Sequence, residues 1–402
     1  MKHRAWRIAV VPVLVLFFGL VFACVLSIGG SRVATAKAGA SVIRVANSGA
    51  DTSSCGSEGS PCETIPFAVN KAVGGDEIRV AAGRYTGAQQ VVALGSGSVT
   101  TFTQVVMITK SLTLRGGYTT SDWDTPAPAE NVTIIDAEGY GRPVSIVGNG
   151  TQTVTVEGLT ITGGDYTGLG NPDGEAWLTC WRTSSDCGGG LFAREVTVIV
   201  RRCVISGNVA GRSSSSDDGG GVYMYDALAG SRIEDTLVIN NVSAGGNSRG
   251  GGAGIDAQGL TILRSAFINN YGADNGGGMH VNVSFGSAVI EDCEFTGNVV
   301  EKPNGSGGGL NVRHGAIVVR GSTFRSNRAR EGGAVTWDGS SPDSAVFDAN
   351  TVISNTAQKG GGIMLYPGGE YLLTNNLIAR NSGGAALIVL ETQSTWIHNT
   401  IA

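Results

Sequence analysis

Charge is scarce in this 402-residue chain. Asp, Glu, Lys and Arg together make up 15% of it, and the formal net charge is only −5. No basic stripe stands out, so nucleic acid is not an expected partner. Several local signatures of chemistry are also missing. There is no Ser-His-Asp order and no zinc-ligand spacing. The Gly-Gly-Gly stretches are never followed by the helix that a phosphate-cradling loop requires. Proline numbers 10 and aromatic residues make up 6%, whereas glycine numbers 63, over twice its usual share. Apolar residues make up 41% and are regularly spaced, which excludes a disordered chain.

One long hydrophobic run is present. "MKHRAWR" is basic, and residues 8–28 are almost wholly apolar. "ATA" (34–36) and "AKA" (36–38) are small-x-small cleavage signals. Residues 1–38 are therefore expected to be an export signal, cut after Ala36 or Ala38. An uncleaved anchor is the alternative, because 21 apolar residues can span a bilayer. Cys24 follows "VFA" and imitates a lipoprotein site, but Phe22 and the continuing apolar run argue against one. Export implies an oxidising setting, so the expected location is secreted or cell envelope. Cys55 and Cys62 lie seven apart, as do Cys180 and Cys187, and each pair is expected to close a local disulfide.

A repeat then dominates. Glycine-led triplets start at 188, 219, 250, 276, 307, 332, 360 and 383, and closing asparagines fall at 208, 241, 270, 298, 327, 355 and 381. The distance from glycine to asparagine is 20 to 23 residues each time, and nearly all length variation lies between an asparagine and the next glycines. A fixed short unit with one variable corner marks a solenoid. The third and fifth residues after the first glycine are apolar throughout, for example Val222/Met224, Met279/Val281 and Leu310/Val312. This is the period of a strand with one face inward. Ten and eight residues before the asparagine stand pairs such as Val198/Val200 and Ile317/Val319. Three before it stand Ile205, Val238, Phe267, Phe295, Phe324, Val352 and Ile378.

No repeat has room for a three-turn helix. Each coil must stack two or three short strands on their like, in parallel, about 4.8 Å apart. The expected fold is all-β, a parallel β-helix. The closing asparagine is expected to take the left-handed conformation of a sharp corner and to bond to the next coil. Five residues before it runs a column of small residues, Cys203, Thr236, Ser265, Cys293, Ser322, Asn350 and Asn376, which makes the two cysteines lone buried thiols. Seven before it, Arg201, Glu234, Glu291, Arg320 and Asp348 suggest surface ion pairs between coils.

Residues 42–110 read as cap and first coil, with a short helix over 64–73 and a strand over 77–81. Residues 111–402 read as the β-helix, with less regular strands at 111–114, 132–135, 144–147 and 154–162. Residues 398–402 repeat 375–379 position by position, so the chain is expected to stop within a coil.

"FINN" (267–270), "FTGN" (295–298), "FRSN" (324–327) and the Gly-Gly-x-apolar starts, such as "GGAV" (332–335), resemble the repeat of the polymorphic outer membrane proteins. That repeat lies within the pectin-lyase-like right-handed β-helix superfamily. "PCETIPFAVNKAVGGDEIRVAAGRYTG" is similar to the opening segment of many bacterial members. The resemblance spans residues 42–402. It implies a right-handed β-helix and a secreted or envelope-bound surface protein, often adhesive. Other corners, such as "VISGN", lack the phenylalanine, and the β-barrel of an autotransporter does not occur within these 402 residues.

Long loops (165–187, 209–218, 242–249 and 299–306) all precede the glycine-led strand. That strand is expected to turn outward Phe192, Arg194, Tyr223, Tyr225, Asp256, His280, Asn282, Asn311, Arg313, Asp338 and Tyr366. Exposed rings beside polar groups suit a polysaccharide or cell-surface glycan. Tyr166, Trp177 and Trp181 in the first long loop add to the candidate glycan site of Phe192, Arg194, Tyr223, Tyr225 and His280. The plainer alternative is that the rings only stack to stabilise the sheet.

Catalysis has thinner support. Asp217, Asp218, Asp256 and His280 are the candidates, but a glycosidase needs two carboxyls about 5–9.5 Å apart. A lyase of the superfamily would want calcium held by clustered acids; otherwise no cofactor or metal is expected. The adjacent Asp217 and Asp218 also read as a solvated turn. The expected function is an exported, adhesin-like interaction protein without catalysis. A polysaccharide lyase or glycoside hydrolase is the alternative, and a passive spacer the third. Membrane contact is expected only through the N-terminal segment or an anchor beyond residue 402.

Overall fold

A computed structural model describes residues 40–94, 99–169, 180, 185–212, 216–283, 286–338, 344–390 and 393–402. The expected export segment lies outside these residues, as do Trp177 and Trp181.

Within the described residues the chain winds through three long sheets. One coil shows the plan: Leu310–Val312 belongs to sheet A, Ala316–Arg320 to sheet B and Thr323–Arg325 to sheet C. Each strand pairs in parallel with its counterpart one coil on. Leu310 stands beside Met279 and Val335, Val319 beside Ile290 and Phe347, and Phe324 beside Phe295 and Val352. Sheet A ends in an antiparallel pair, Gln89–Leu94 with Val99–Ile108. The expected stack is therefore present, with its register.

The interior columns are those read from the repeat. Val222, Met279, Leu310, Val200, Val319 and Ile205 are all fully buried. The phenylalanines of sheet C stack ring on ring, Phe267 to Phe295 at 5.0 Å and Phe295 to Phe324 at 4.8 Å.

The corner differs from expectation in one respect. The left-handed residue is not the column asparagine but the residue before it: Gly207, Asn240, Asn269, Gly297, Ser326, Ser354 and Arg380. The sharp bend thus falls on an exposed residue, and the asparagine turns inward. There it donates from Nδ2 to the next coil's Oδ1, at 3.0 Å for Asn208 to Asn241 and 2.9 Å for Asn298 to Asn327. It also donates to a carbonyl of the preceding coil, as Asn298 does to Phe267 at 2.8 Å. A continuous ladder runs from Asn208 to Asn381, and a buried amide needs such complete pairing.

The glycine triplets have three separate causes. The first glycine is left-handed, with φ between 58° and 71° from Gly188 to Gly360. The second lies against the backbone of the next coil; a Cβ on Gly277 would stand 2.6 Å from Gly308 O and 2.7 Å from Val299 N. The third faces the asparagine ladder, and alanine occupies that place in two coils, at Ala334 and Ala386.

The cap forms nearly as read, as helix Ile65–Lys71 with Thr64 accepting from the Phe67 N–H. Lys110 donates to its last carbonyls at Val69 and Ala72. The expected strand over 154–162 breaks at Gly158, left-handed at φ 65°, into Thr153–Glu157 and Thr160–Thr162.

Both disulfides are present, Cys55–Cys62 and Cys180–Cys187. Cys203 and Cys293 are buried free thiols, and burial pushes each up to about 12. Of the expected ion pairs, Arg320 meets Asp348 at 3.4 Å. Arg201 turns instead to the buried Glu157 at 2.7 Å, which also takes Arg115 and Arg202.

Candidate functional site

The long loops have order of their own. Asp186–Cys187 pairs with Asp217–Asp218, and the ladder continues through Arg249, Asn275, Ser306, Glu331 and Lys359. This narrow ladder runs just ahead of sheet A, along the loop side of its outer face. It accounts for the largest departure from the sequence expectation.

The rings expected to be exposed are covered. Phe192 and Tyr166 are fully buried, and Tyr223 is 1% exposed. Arg194 is 8% exposed, and Tyr225 is half-exposed. Phe192, Tyr223 and Tyr225 stack at 6.2 and 6.4 Å. The expectation that these rings offer a sugar platform is therefore corrected for Phe192, Tyr166 and Tyr223, which have no free face. What covers them is an arginine and a disulfide. Arg142 lies between Tyr166 and Phe192, at 3.4 and 4.6 Å from the ring centres. Its Nε donates to Cys187 O at 2.9 Å, beside the Cys180–Cys187 bridge. Phe192, Tyr223 and the two cysteines form one small apolar cluster.

Asp217 and Asp218 are corrected too. They form neither a solvated turn nor a pair facing a groove, but sit in the ladder, 0% and 8% exposed. Burial, with Asp186 and Asp218 adding repulsion, raises Asp217 from 3.8 to about 7. The folded state therefore keeps a proton that the unfolded chain releases. Stability is expected to fall as pH rises from about 4 to about 7 and then to level off. Asp217→Asn should remove that slope, as read from melting temperatures at pH 5 and pH 8.

Asp256 does not meet His280. The register places His280 beside Gly254, and Asp256 accepts from Asn282 Nδ2 at 2.6 Å. Burial raises the Asp256 carboxyl.

His280 is nonetheless the centre of a site. Asn247, Arg249, Asp274, Asn275, His280, Asn311, Arg313 and Asp338 line a cleft of about 210 Å³. His280 is 3% exposed. A chain of hydrogen bonds fixes its ring. Asn275 Nδ2 donates to Asp274 at 3.1 Å, so Asn275 Oδ1 accepts from Ser306 Oγ at 2.7 Å. Ser306 Oγ in turn accepts from Asn311 Nδ2 at 2.8 Å. Asn311 is then left with its Oδ1 toward His280 Nδ1, at 2.7 Å, and Nδ1 must carry the proton. His280 Nε2 is a buried lone pair without a partner among the described residues. Burial, helped by Arg249 and Arg313, pushes the imidazole down to about 3. Neither Asn247 nor Asn275 was singled out in the sequence, because their loops vary in length and carry no period. A larger hollow of about 530 Å³ lies farther along, between Val300, Arg328 and Ala357. Its Glu301 and Arg328 pair with each other at 2.9 Å.

Among the described residues, Asp274 and Asp338 of the cleft do not fall in a group of three or more closely spaced metal-ligating side chains. Among the described residues the group best placed to hold an ion is Asp51 with Cys55 and Cys62, whose sulfurs are bonded to each other.

Parallel coils, a buried asparagine ladder and a loop-walled outer face define a class: the chain is a right-handed parallel β-helix protein. Residues 144–341 match the family model described as "Right handed beta helix region". A stretch of 116 residues is similar to metabotropic glutamate receptor-like protein R of Dictyostelium discoideum, at 29% identity. That stretch is 29% of this chain and 7% of the relative, so the chain spans a small part of the relative's length. No helix among the described residues is long and apolar enough to cross a membrane.

Proposed function

We propose that this is an exported surface interaction protein that binds a glycan, without catalysis, in the cleft around His280. The observation that carries the reading is a buried imidazole nitrogen with no partner among the described residues, set among arginine, asparagine and aspartate side chains. Such a mixture of donors and acceptors suits hydroxyl groups. The ring stack, being covered, supports the scaffold and not the ligand.

The depressed basicity of His280 favours binding over turnover. A general base works best with a pKa near the working pH, and a group near 3 is a poor proton acceptor there. It remains a good hydrogen-bond acceptor. The lyase or hydrolase alternative is tested in the same experiment. The protein is incubated with pectin, alginate and neutral polymers, with and without calcium, and applied to a glycan array. Retention on one glycan class, reduced at least tenfold by His280→Phe, is the expected result. New unsaturated or reducing ends would replace this reading by the enzymatic one. Neither retention nor new ends would leave the spacer.

A further inference from the structure

The outer face of sheet B changes character along the stack. Its central outward column reads Glu77, Thr113 and Thr155 in the early coils, then Ile199, Arg232 and Thr261. Over the next four coils it is aliphatic. Val289, Val318, Val346 and Leu372 follow one another in register, each partly exposed. Strand propensity accepts threonine at this place, as at Thr113 and Thr261, so it does not account for the run. The interior is already filled from the alternate positions, by Ala288, Ile290, Ile317 and Val319. The face is hollowed over Val346, Leu372 and Thr395, with a volume of about 380 Å³.

The columns on this face are nearly palindromic. A twofold axis laid along the strands, midway between the coils of Val318 and Val346, reverses the order of the coils. It brings each column of one copy onto the same column of a second. Val318 then faces the partner's Val346, and Val289 the partner's Leu372. The flanking column runs Leu263, Glu291, Arg320, Asp348, Thr374 and Ile397. About the same axis Arg320 faces the partner's Asp348, and Leu263 the partner's Ile397. On the other flank small residues meet, Ala316 with the partner's Ser344. Within one chain Arg320 already stands 3.4 Å from Asp348, with its side chain 52% exposed. Two copies therefore close a ring of four charges of alternating sign. No like charges face each other in these columns.

We propose that this face of sheet B is the interface of a symmetric homodimer of two antiparallel β-helices. Six coils at ~4.8 Å and five residues at ~3.3 Å cover roughly 450 Å² on each copy. That is the size of a weak, transient contact, below about 1,200 Å² in total. Association should therefore appear only as concentration rises. A twofold contact also closes on itself, so assembly stops at two chains.

The test is sedimentation equilibrium of the purified protein over a hundredfold range of concentration. The mass is expected to rise from one chain toward two and no further. Val318→Arg should weaken association at least tenfold, whereas Ile199→Arg, on the same column but outside the contact, should leave it unchanged. Arg320→Asp and Asp348→Arg should each weaken it at least tenfold, because each sets like charges across the axis. An equimolar mixture of these two variants should dimerise again. In the mixed pair both facing contacts join opposite charges, while the pair within each chain stays broken. Recovery on mixing thus reads the contact between chains alone, and it requires that both variants are folded. A single-chain mass throughout, or masses beyond two chains, would overturn the proposal. So would a dimer indifferent to Val318→Arg. If Arg320→Asp and Asp348→Arg keep native thermal unfolding yet stay monomeric when mixed, the proposed register is refuted.

Discussion

Asn298→Ala is expected to destabilise the β-helix by about 4–5 kcal/mol, the upper range for a single substitution. The amide makes four hydrogen bonds in a dry corner. It donates to Asn327 Oδ1 at 2.9 Å and to Phe267 O at 2.8 Å, and accepts from Asn270 N and Nδ2 at 3.0 and 3.1 Å. Alanine removes one partner of each and leaves the others buried and unpaired, which costs more than the bonds themselves contribute. Asn298→Asp should be no milder. It keeps the acceptor but sets a carboxylate oxygen against Asn327 Oδ1 and Phe267 O, two acceptors. The neighbouring pair Asn269 and Asn270 gives the internal control. Asn269 is left-handed at φ 52° with its side chain outside the core, so Asn269→Gly should lie within about 0.5 kcal/mol of wild type. Asn270→Gly should match Asn298→Ala. Urea unfolding midpoints would check the order. Equal effects at Asn269 and Asn270 would refute the assignment of separate roles to the two.

The second large effect belongs to Gly277→Ala. A Cβ there would meet Gly308 O at 2.6 Å and Val299 N and O at 2.7 Å. All three are backbone atoms of the stack, so no side chain can swing aside. Overpacking typically costs about 1–3 kcal/mol, and a site bounded only by backbone should cost about 3 kcal/mol or more. The strain should be visible as lost hydrogen-exchange protection at Met279 and Leu310, the strands that Gly277 and Gly308 lead into. Gly74 offers the contrast, with nothing within 4 Å of a Cβ and no positive φ. Gly74→Ala should be neutral, or stabilise by about 0.4–1 kcal/mol through the unfolded chain. A mild Gly277→Ala would mean that coils can separate locally, and would weaken the account of the glycine column.

These two sites show why the scaffold was readable. Glycine and asparagine recur because one backbone approach and one amide bond recur in each coil, so a local requirement is printed several times in the sequence. The interior columns of Val222, Met279 and Leu310, and the stack of Phe267, Phe295 and Phe324, follow from the same regularity. The left-handed residue escaped the reading because it is not one residue type. Gly207, Asn240, Ser326 and Arg380 all occupy it, and a position defined by φ alone leaves a faint trace in composition.

The candidate site was legible only in part. His280, Arg313 and Asp338 lie in strands or directly after them, so their outward direction followed from period two. That Phe192 and Tyr223 also point outward was right, but their exposure was not. Exposure depends on what the loops do, and the loops carry no period. Asp186–Cys187 could be placed over the rings only by pairing with Asp217–Asp218 and by the Arg142 guanidinium between Tyr166 and Phe192.

The sequence by itself therefore determined the solenoid, its strands, its core and its two disulfides, since each rests on spacing repeated or local along the chain. Tertiary structure alone decided which outward residues are covered, which carboxyls are buried and which way the proton sits on His280. Those depend on contacts between loops of unequal length on different coils, and a contact of that kind has no periodic signature.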